Sequence, residues 1–81
     1  MKADIYVSLK KTVLDPQGET IRAALQGLGF GDVEAVRQGK HFQLLLASHL
    51  TREQAREHVE RIAREVLTNP VIEEFSYRLD E

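Results

Sequence analysis

His41, His49 and His58 are the side chains best able to ligate a metal or carry a proton, and they stand eight and nine residues apart. None has an i,i+3 or i,i+4 partner that would bring two imidazoles to one side of a helix, so the spacing predicts surface or boundary residues rather than ligands. Ser8, Ser48 and Ser76 lack the flanking glycines of a nucleophile elbow, which argues against a serine hydrolase. Glu73 and Glu74 form a carboxylate pair in sequence, but strand neighbours point to opposite faces and cannot share a substrate unless the strand bulges. Gly27-Leu28-Gly29-Phe30-Gly31 follows a predicted helix and precedes a predicted strand. That reverses the order by which glycines and a helix N-terminus cradle phosphate, so the run reads as a helix exit and a turn.

Two polar stretches hold more. In Asp15-Pro16-Gln17-Gly18, Asp15 can cap a helix and Pro16 can occupy its first position without losing a needed donor. Gly18 costs that helix about 0.5–1 kcal/mol relative to alanine. In return, a residue with no side chain lets another backbone or a ligand approach the first turn, where free N–H groups can hold an anion; a permissive glycine at a frayed end is the plainer alternative. In Arg37-Gln38-Gly39-Lys40, two cations flank a predicted hairpin tip. A solvated turn is the default there, and the planar donor fork of Arg37 suits a phosphate or carboxylate.

Alternation and helical spacing define the elements that carry these stretches. From Lys2 to Lys10, Ile5, Val7 and Leu9 point one way and Tyr6, Ser8 and Lys10 the other, the period of a half-buried strand. Ile21, Ala24, Leu25 and Leu28 follow Pro16 at helical spacing. Val33 to Gln38 and His41 to Ala47 read as two strands of a hairpin around Gly39-Lys40. Thr51-Arg52-Glu53-Gln54 matches a capping box. The helix behind it has a buried stripe of Ala55, Val59, Ile62, Ala63, Val66 and Leu67 and predicted i,i+4 pairs Glu57–Arg61 and Glu60–Arg64. Asn69-Pro70 stops it, Val71 to Leu79 is a last strand with Phe75, Tyr77 and Leu79 on one side, and Asp80-Glu81 is a solvated tail.

The order β-α-β-β-α-β predicts an α+β two-layer sandwich: a four-stranded antiparallel sheet with two helices on one face, ferredoxin-like or closely related. The other sheet face is left bare, with Tyr6, Val36, Leu45 and Ile72 on or near it, and a contiguous apolar patch there implies a partner. Size points the same way. A chain of 9.2 kDa buries only about 63% of its unfolded surface as a monomer, and so small a core often needs a staple. Cysteine is absent, which excludes disulfides, thiolate nucleophiles and Cys-based zinc sites. Thirteen acidic and eleven dispersed basic residues exclude a counterion-releasing nucleic-acid stripe. The longest apolar run, Leu44 to Ala47, is far below the roughly 20 residues of a membrane span. The N-terminus has no apolar signal segment, so a cytoplasmic location is expected.

Four stretches carry a family resemblance: Val7-Ser8-Leu9-Lys10, Val13-Leu14-Asp15-Pro16-Gln17-Gly18, Val36-Arg37-Gln38-Gly39-Lys40, and Leu67-Thr68-Asn69-Pro70-Val71-Ile72-Glu73. In this order and spacing the sequence resembles the PurS family, small subunits of bacterial and archaeal phosphoribosylformylglycinamidine (FGAM) synthase. The resemblance covers nearly the whole chain as one domain, 1–81, and departs from the pattern at Thr68, where alanine is expected. It implies an accessory subunit without an active site or cofactor of its own, in de novo purine (IMP) biosynthesis. In that family a large, PurL-like synthetase subunit uses ATP and Mg to activate formylglycinamide ribonucleotide, and a PurQ-like glutaminase supplies ammonia. The small chain forms a homodimer, with a dimer of dimers also open, and bridges the two. Polar or glycine residues at loop positions within the matching stretches are the candidate contacts: Lys10, Asp15, Gln17, Gly18, Arg37, Gly39, Lys40 and Asn69. An ACT-like dimeric module that senses amino acids is the alternative on the same element order. An RNA-recognition module ranks last, because it needs aromatic platforms on the central strands.

Overall fold

The computed structural model describes residues 1–80. Its centre is β1, Lys2–Leu9, flanked by two antiparallel strands in the order β2-β1-β3, with β2 at Gly39–Leu45 and β3 at Glu73–Asp80. The register explains the alternation. Ala3 lies opposite Leu44 and Leu79, Ile5 opposite Phe42 and Tyr77, and Val7 beside Phe75, so the apolar residues of three strands share one face. Against it packs α2, Arg52–Ile62, through Ala55 and Val59, followed by Ala63. Ala3, Ile5, Val7, Val59 and Ala63 form the buried centre, with Phe42, Leu44, Phe75, Tyr77 and Leu79 half-buried around it.

The capping box forms as expected: the Thr51 hydroxyl accepts from the Gln54 amide, and the Gln54 side chain accepts from the Thr51 amide. Beyond Ile62 the helix widens into a π-helical turn, Ala63–Leu67, which adds a residue to the turn and shifts the helical phase. Val66, which the 3.6-residue spacing places in the buried stripe, is therefore 73% exposed. The ion pairs also differ from the predicted ones. Glu60 accepts a 2.6 Å hydrogen bond from the Tyr77 hydroxyl, and Arg61 pairs with Glu65. Val71 and Ile72 fall in the turn after Asn69-Pro70, so β3 begins at Glu73 and runs through Asp80. Glu81 lies outside the described residues.

The larger departure concerns the first helix and the second predicted strand. Helix α1, Pro16–Gly27, forms where expected and exits through Gly29 at φ +98°. Among the described residues it makes no extensive contact with the sheet or with α2. Val33–Gln38 runs extended along α1 and joins no sheet, so the sheet has three strands rather than four, and one helix covers its face rather than two. The hairpin around Gly39-Lys40 is open, because Gly39 passes directly into β2 opposite Ser8. Alternation gives a strand its faces but not its partner, and here the segment is bonded to α1 instead: the Gln26 side chain reaches the Val33 carbonyl and Asp15 takes the Gln38 amide. The result is elongated, 51 × 26 × 14 Å, with a radius of gyration of 16.2 Å, against about 12 Å for a compact chain of this length. Of the four residues expected near the bare sheet face, Tyr6 and Leu45 are there. Val36 lies beside Gly18, and Ile72 lies in the turn before β3.

Candidate functional site

The eight residues singled out in the sequence, up to 59 positions apart, gather at the waist where the sheet meets the α1 lobe. Asp15 ties the waist together. One carboxylate oxygen caps α1 by accepting from the Gly18 amide at 2.9 Å, and the other accepts from the Gln38 amide at 2.8 Å. These bonds, that from Gln38 foremost, with help from the Arg37 charge, hold the buried carboxyl below the usual aspartate value. The anion expected at the helix N-terminus is thus the chain's own side chain. Gly18 does admit another backbone, as its lack of a side chain predicts, and that backbone is internal: a Cβ there would collide with the Val36 carbonyl.

Three further ties close the waist. The Arg37 guanidinium donates to the Lys10 carbonyl at 2.8 Å and to that of Leu9 at 3.4 Å, while the Lys10 amide donates to Ile72. Gln38 donates through its side chain to Gln17 at 2.6 Å. Lys40 stands 3.4 Å from Glu73, whose other oxygen accepts the Asn69 amide. The Asn69 bond chiefly, then Lys40, lowers the Glu73 carboxyl below its usual value. Asn69 also accepts the Val71 amide in an Asx-turn that aims the chain into β3. Gly39 sits so close to β1 that a Cβ would lie 2.7 Å from the Val7 carbonyl.

Between these ties lies an open cleft of ≈ 300 Å³, floored by Val7 and Leu9 and edged by Ser8, Gln17, Gln38, Lys40 and Glu73. It offers hydroxyl, amide and ammonium groups to a polar partner, and no histidine stands beside Ser8 in it. Glu73 and Gln38 are site residues that the sequence reading passed over. In sequence Glu73 is half of a carboxylate pair; its position four residues after Asn69 is the signal that links it to the turn. Glu74 does point to the opposite face.

The bare sheet face carries a second polar group. Asp4 is buried there, accepting from His41 Nε2 at 2.8 Å and Gln43 at 3.3 Å, and the rings of Tyr6 and His41 stack at 4.8 Å. The His41 bond is the main reason that the Asp4 carboxyl is lowered. Asp4 shares the face of Tyr6, and the register sets Gln43 opposite it and His41 opposite Tyr6. His49 and His58 are exposed and apart, and no cluster of three metal-ligating side chains exists among the described residues. No helix among them is long and apolar enough to cross a membrane.

Comparison with known proteins places this geometry in context. A sequence model of PurS, phosphoribosylformylglycinamidine (FGAM) synthase, matches residues 2–81. The phosphoribosylformylglycinamidine synthase subunit PurS of Methanocaldococcus jannaschii is 35% identical over 80 residues, 99% of this chain and 95% of that protein. The crystal structure of PurS from the same organism, described as one of the subunits of formylglycinamide ribonucleotide amidotransferase in the purine biosynthetic pathway, superposes with a TM-score of 0.87 at 35% identity, covering 99% and 95% of the two chains. A chain in the structure of PurLQS from Thermotoga maritima superposes with a TM-score of 0.76 at 33% identity, covering 95% and 93%.

Proposed function

This chain belongs to the PurS family of FGAM synthase subunits, and from that premise we propose that it is the accessory subunit through which a glutaminase and an ATP-dependent synthetase act together. The observation that carries the reading is the family match over residues 2–81, whose most distinctive stretches fold into the single waist around Asp15. In this reading, ATP and Mg are used by the PurL-like synthetase subunit, glutamine is hydrolysed by a PurQ-like subunit, and the ammonia released converts formylglycinamide ribonucleotide to formylglycinamidine ribonucleotide, in the cytoplasm. The chain itself supplies position. Lys10, Asp15, Gln17, Gly18, Arg37, Gly39, Lys40 and Asn69 belong to the waist, and those whose side chains line the cleft, Gln17 and Lys40 foremost, face the larger subunits.

The working form is a homodimer. Two observations support it: the chain exposes 5934 Å², about 1,000 Å² more than a compact protein of its mass, and the apolar Ile21 and Leu28 at α1 and its exit remain exposed. The four-stranded sheet with two helices expected from the sequence belongs, in this reading, to the assembled state. Reconstitution with the two larger subunits tests the function. Adding this chain is expected to restore glutamine-dependent formation of product and to raise the mass of the complex; a complex of the same mass and rate without it would sink the adaptor reading.

A further inference from the structure

We infer that the waist cleft binds a free α-amino acid with a primary-amide side chain, glutamine first, its α-carboxylate on Lys40, its α-ammonium on Glu73 and its amide on Gln17 and Gln38. The site stands on the geometry of the cleft and does not depend on the adaptor reading.

On the sheet side of the cleft a cation and an anion stand side by side. Lys40 Nζ lies 3.4 Å from Glu73 Oε2, longer than the roughly 2.7–2.9 Å of a charge-assisted hydrogen bond. Neither charge is saturated by the other, and the ammonium has three donors to give. Glu73 is fixed in place: its other oxygen accepts the Asn69 amide at 2.8 Å, and its side chain is only 13% exposed. That amide, foremost, lowers its carboxyl below the usual value, so it stands ionised at neutral pH. An α-amino acid carries the same two charges on one carbon, and each finds its opposite here. The pair also sorts ligands. A phosphate or plain carboxylate approaching Lys40 is repelled by Glu73, and Asp15 already occupies the N-terminus of α1.

On the α1 side the groups are neutral amides. Gln38 Nε2 donates to Gln17 Oε1 at 2.6 Å, which leaves Gln17 Nε2 and Gln38 Oε1 without a partner among the described residues. One free donor beside one free acceptor is the complement of a primary amide, whose carbonyl accepts and whose N–H donates. A carboxylate at that place would set an acceptor against Gln38 Oε1. Val7 and Leu9 form an apolar floor for the methylenes between. The volume of ≈ 300 Å³ stands at the lower end of the roughly 300–1,000 Å³ of small-molecule sites, which suits a ligand of this size. In the adaptor reading glutamine is the nitrogen donor and the cleft faces the larger subunits, so the ligand brings that donor's supply to the docking surface; this consequence, unlike the site, rests on that reading.

The native chain is to be titrated with L-glutamine by calorimetry and by thermal unfolding. Saturable binding and a raised unfolding midpoint are expected, since the ligand binds the folded state. L-Glutamate, and glutamine blocked at both α-groups, are expected to bind about ten-fold more weakly or worse. Lys40→Met and Gln17→Leu, both at exposed side chains, should weaken glutamine binding to a similar degree while the circular dichroism is kept. Lys11→Met, the same charge change at an exposed residue outside the cleft, should bind as the parent does. No saturable binding of glutamine into the millimolar range would overturn the inference. Equal binding of the blocked compound would overturn the free amino acid and assign the cleft to a glutamine side chain of a protein partner. Unchanged binding by Lys40→Met would place the ligand elsewhere and overturn the site. Each of these results is separate from reconstitution of the complex, which tests the adaptor reading alone.

Discussion

Asp15 shows how much one carboxylate decides. It caps α1, fastens Gln38 and so fixes the direction in which the chain enters β2. Hydrogen bonds from Gln38 and Gly18 lower its carboxyl below the ordinary value of 3.8. A carboxyl lowered by folding binds its proton more weakly in the folded chain than in the unfolded one. Its stabilisation is complete above the unfolded value and is lost as the pH falls through the folded one. Urea unfolding followed downward from pH 7 is therefore expected to show a stability plateau that breaks near pH 4 and falls below it. Asp4 and Glu73, lowered by His41 and by the Asn69 amide, contribute the same sign. Asp15→Asn keeps a capping oxygen but sets an amide donor against the Gln38 N–H. It should be less stable than the parent at neutral pH and lose less on acidification. Equal acid slopes in parent and variant would show that Asp15 is not the group that matters.

At the scale of elements, the sequence is legible where one local signal determines one structure. Asp15-Pro16 starts α1, Thr51 and Gln54 start α2, Asn69-Pro70 ends the helix, and the alternation of Ala3, Ile5 and Val7 marks the central strand. It is not legible where the outcome depends on a partner. Val33–Gln38 has strand periodicity but takes Asp15 and α1 as neighbours, and the spacing of Ile21, Leu25 and Leu28 says that a face is apolar without saying whose sheet covers it. The phase of the second helix is lost at Ala63–Leu67 for another reason: a π-helical turn has no signature in an apolar repeat. The end of that turn makes a prediction. Thr68 is nine-tenths buried and its hydroxyl has no hydrogen-bond partner. Thr68→Val keeps the branched shape in an extended backbone and removes a desolvated hydroxyl, so it should stabilise the chain by about 1 kcal/mol in urea titration. A loss of stability of that size would show instead that the hydroxyl is bonded, through a water or a neighbouring subunit.

The whole molecule has too little core for its length. The buried centre comprises small and medium side chains, Ala3, Ile5, Val7, Val59 and Ala63, while Leu14, Leu28, Leu45 and Val71 remain largely exposed. On the homodimer reading, the apolar face of α1 contributes little until a second chain covers it, and folding and association form one equilibrium. That coupling has a signature no monomeric domain shares. For a two-state folded dimer, each ten-fold rise in chain concentration adds RT ln 10, about 1.4 kcal/mol, to the free energy favouring the assembled state. The thermal unfolding midpoint should therefore climb steadily as concentration is raised from the micromolar range, and the α1 and sheet signals should melt together. A midpoint independent of concentration would mean that the sheet and α2 are stable alone. The elongated protomer would then be a folded unit in its own right, with α1 a free arm rather than half of an interface.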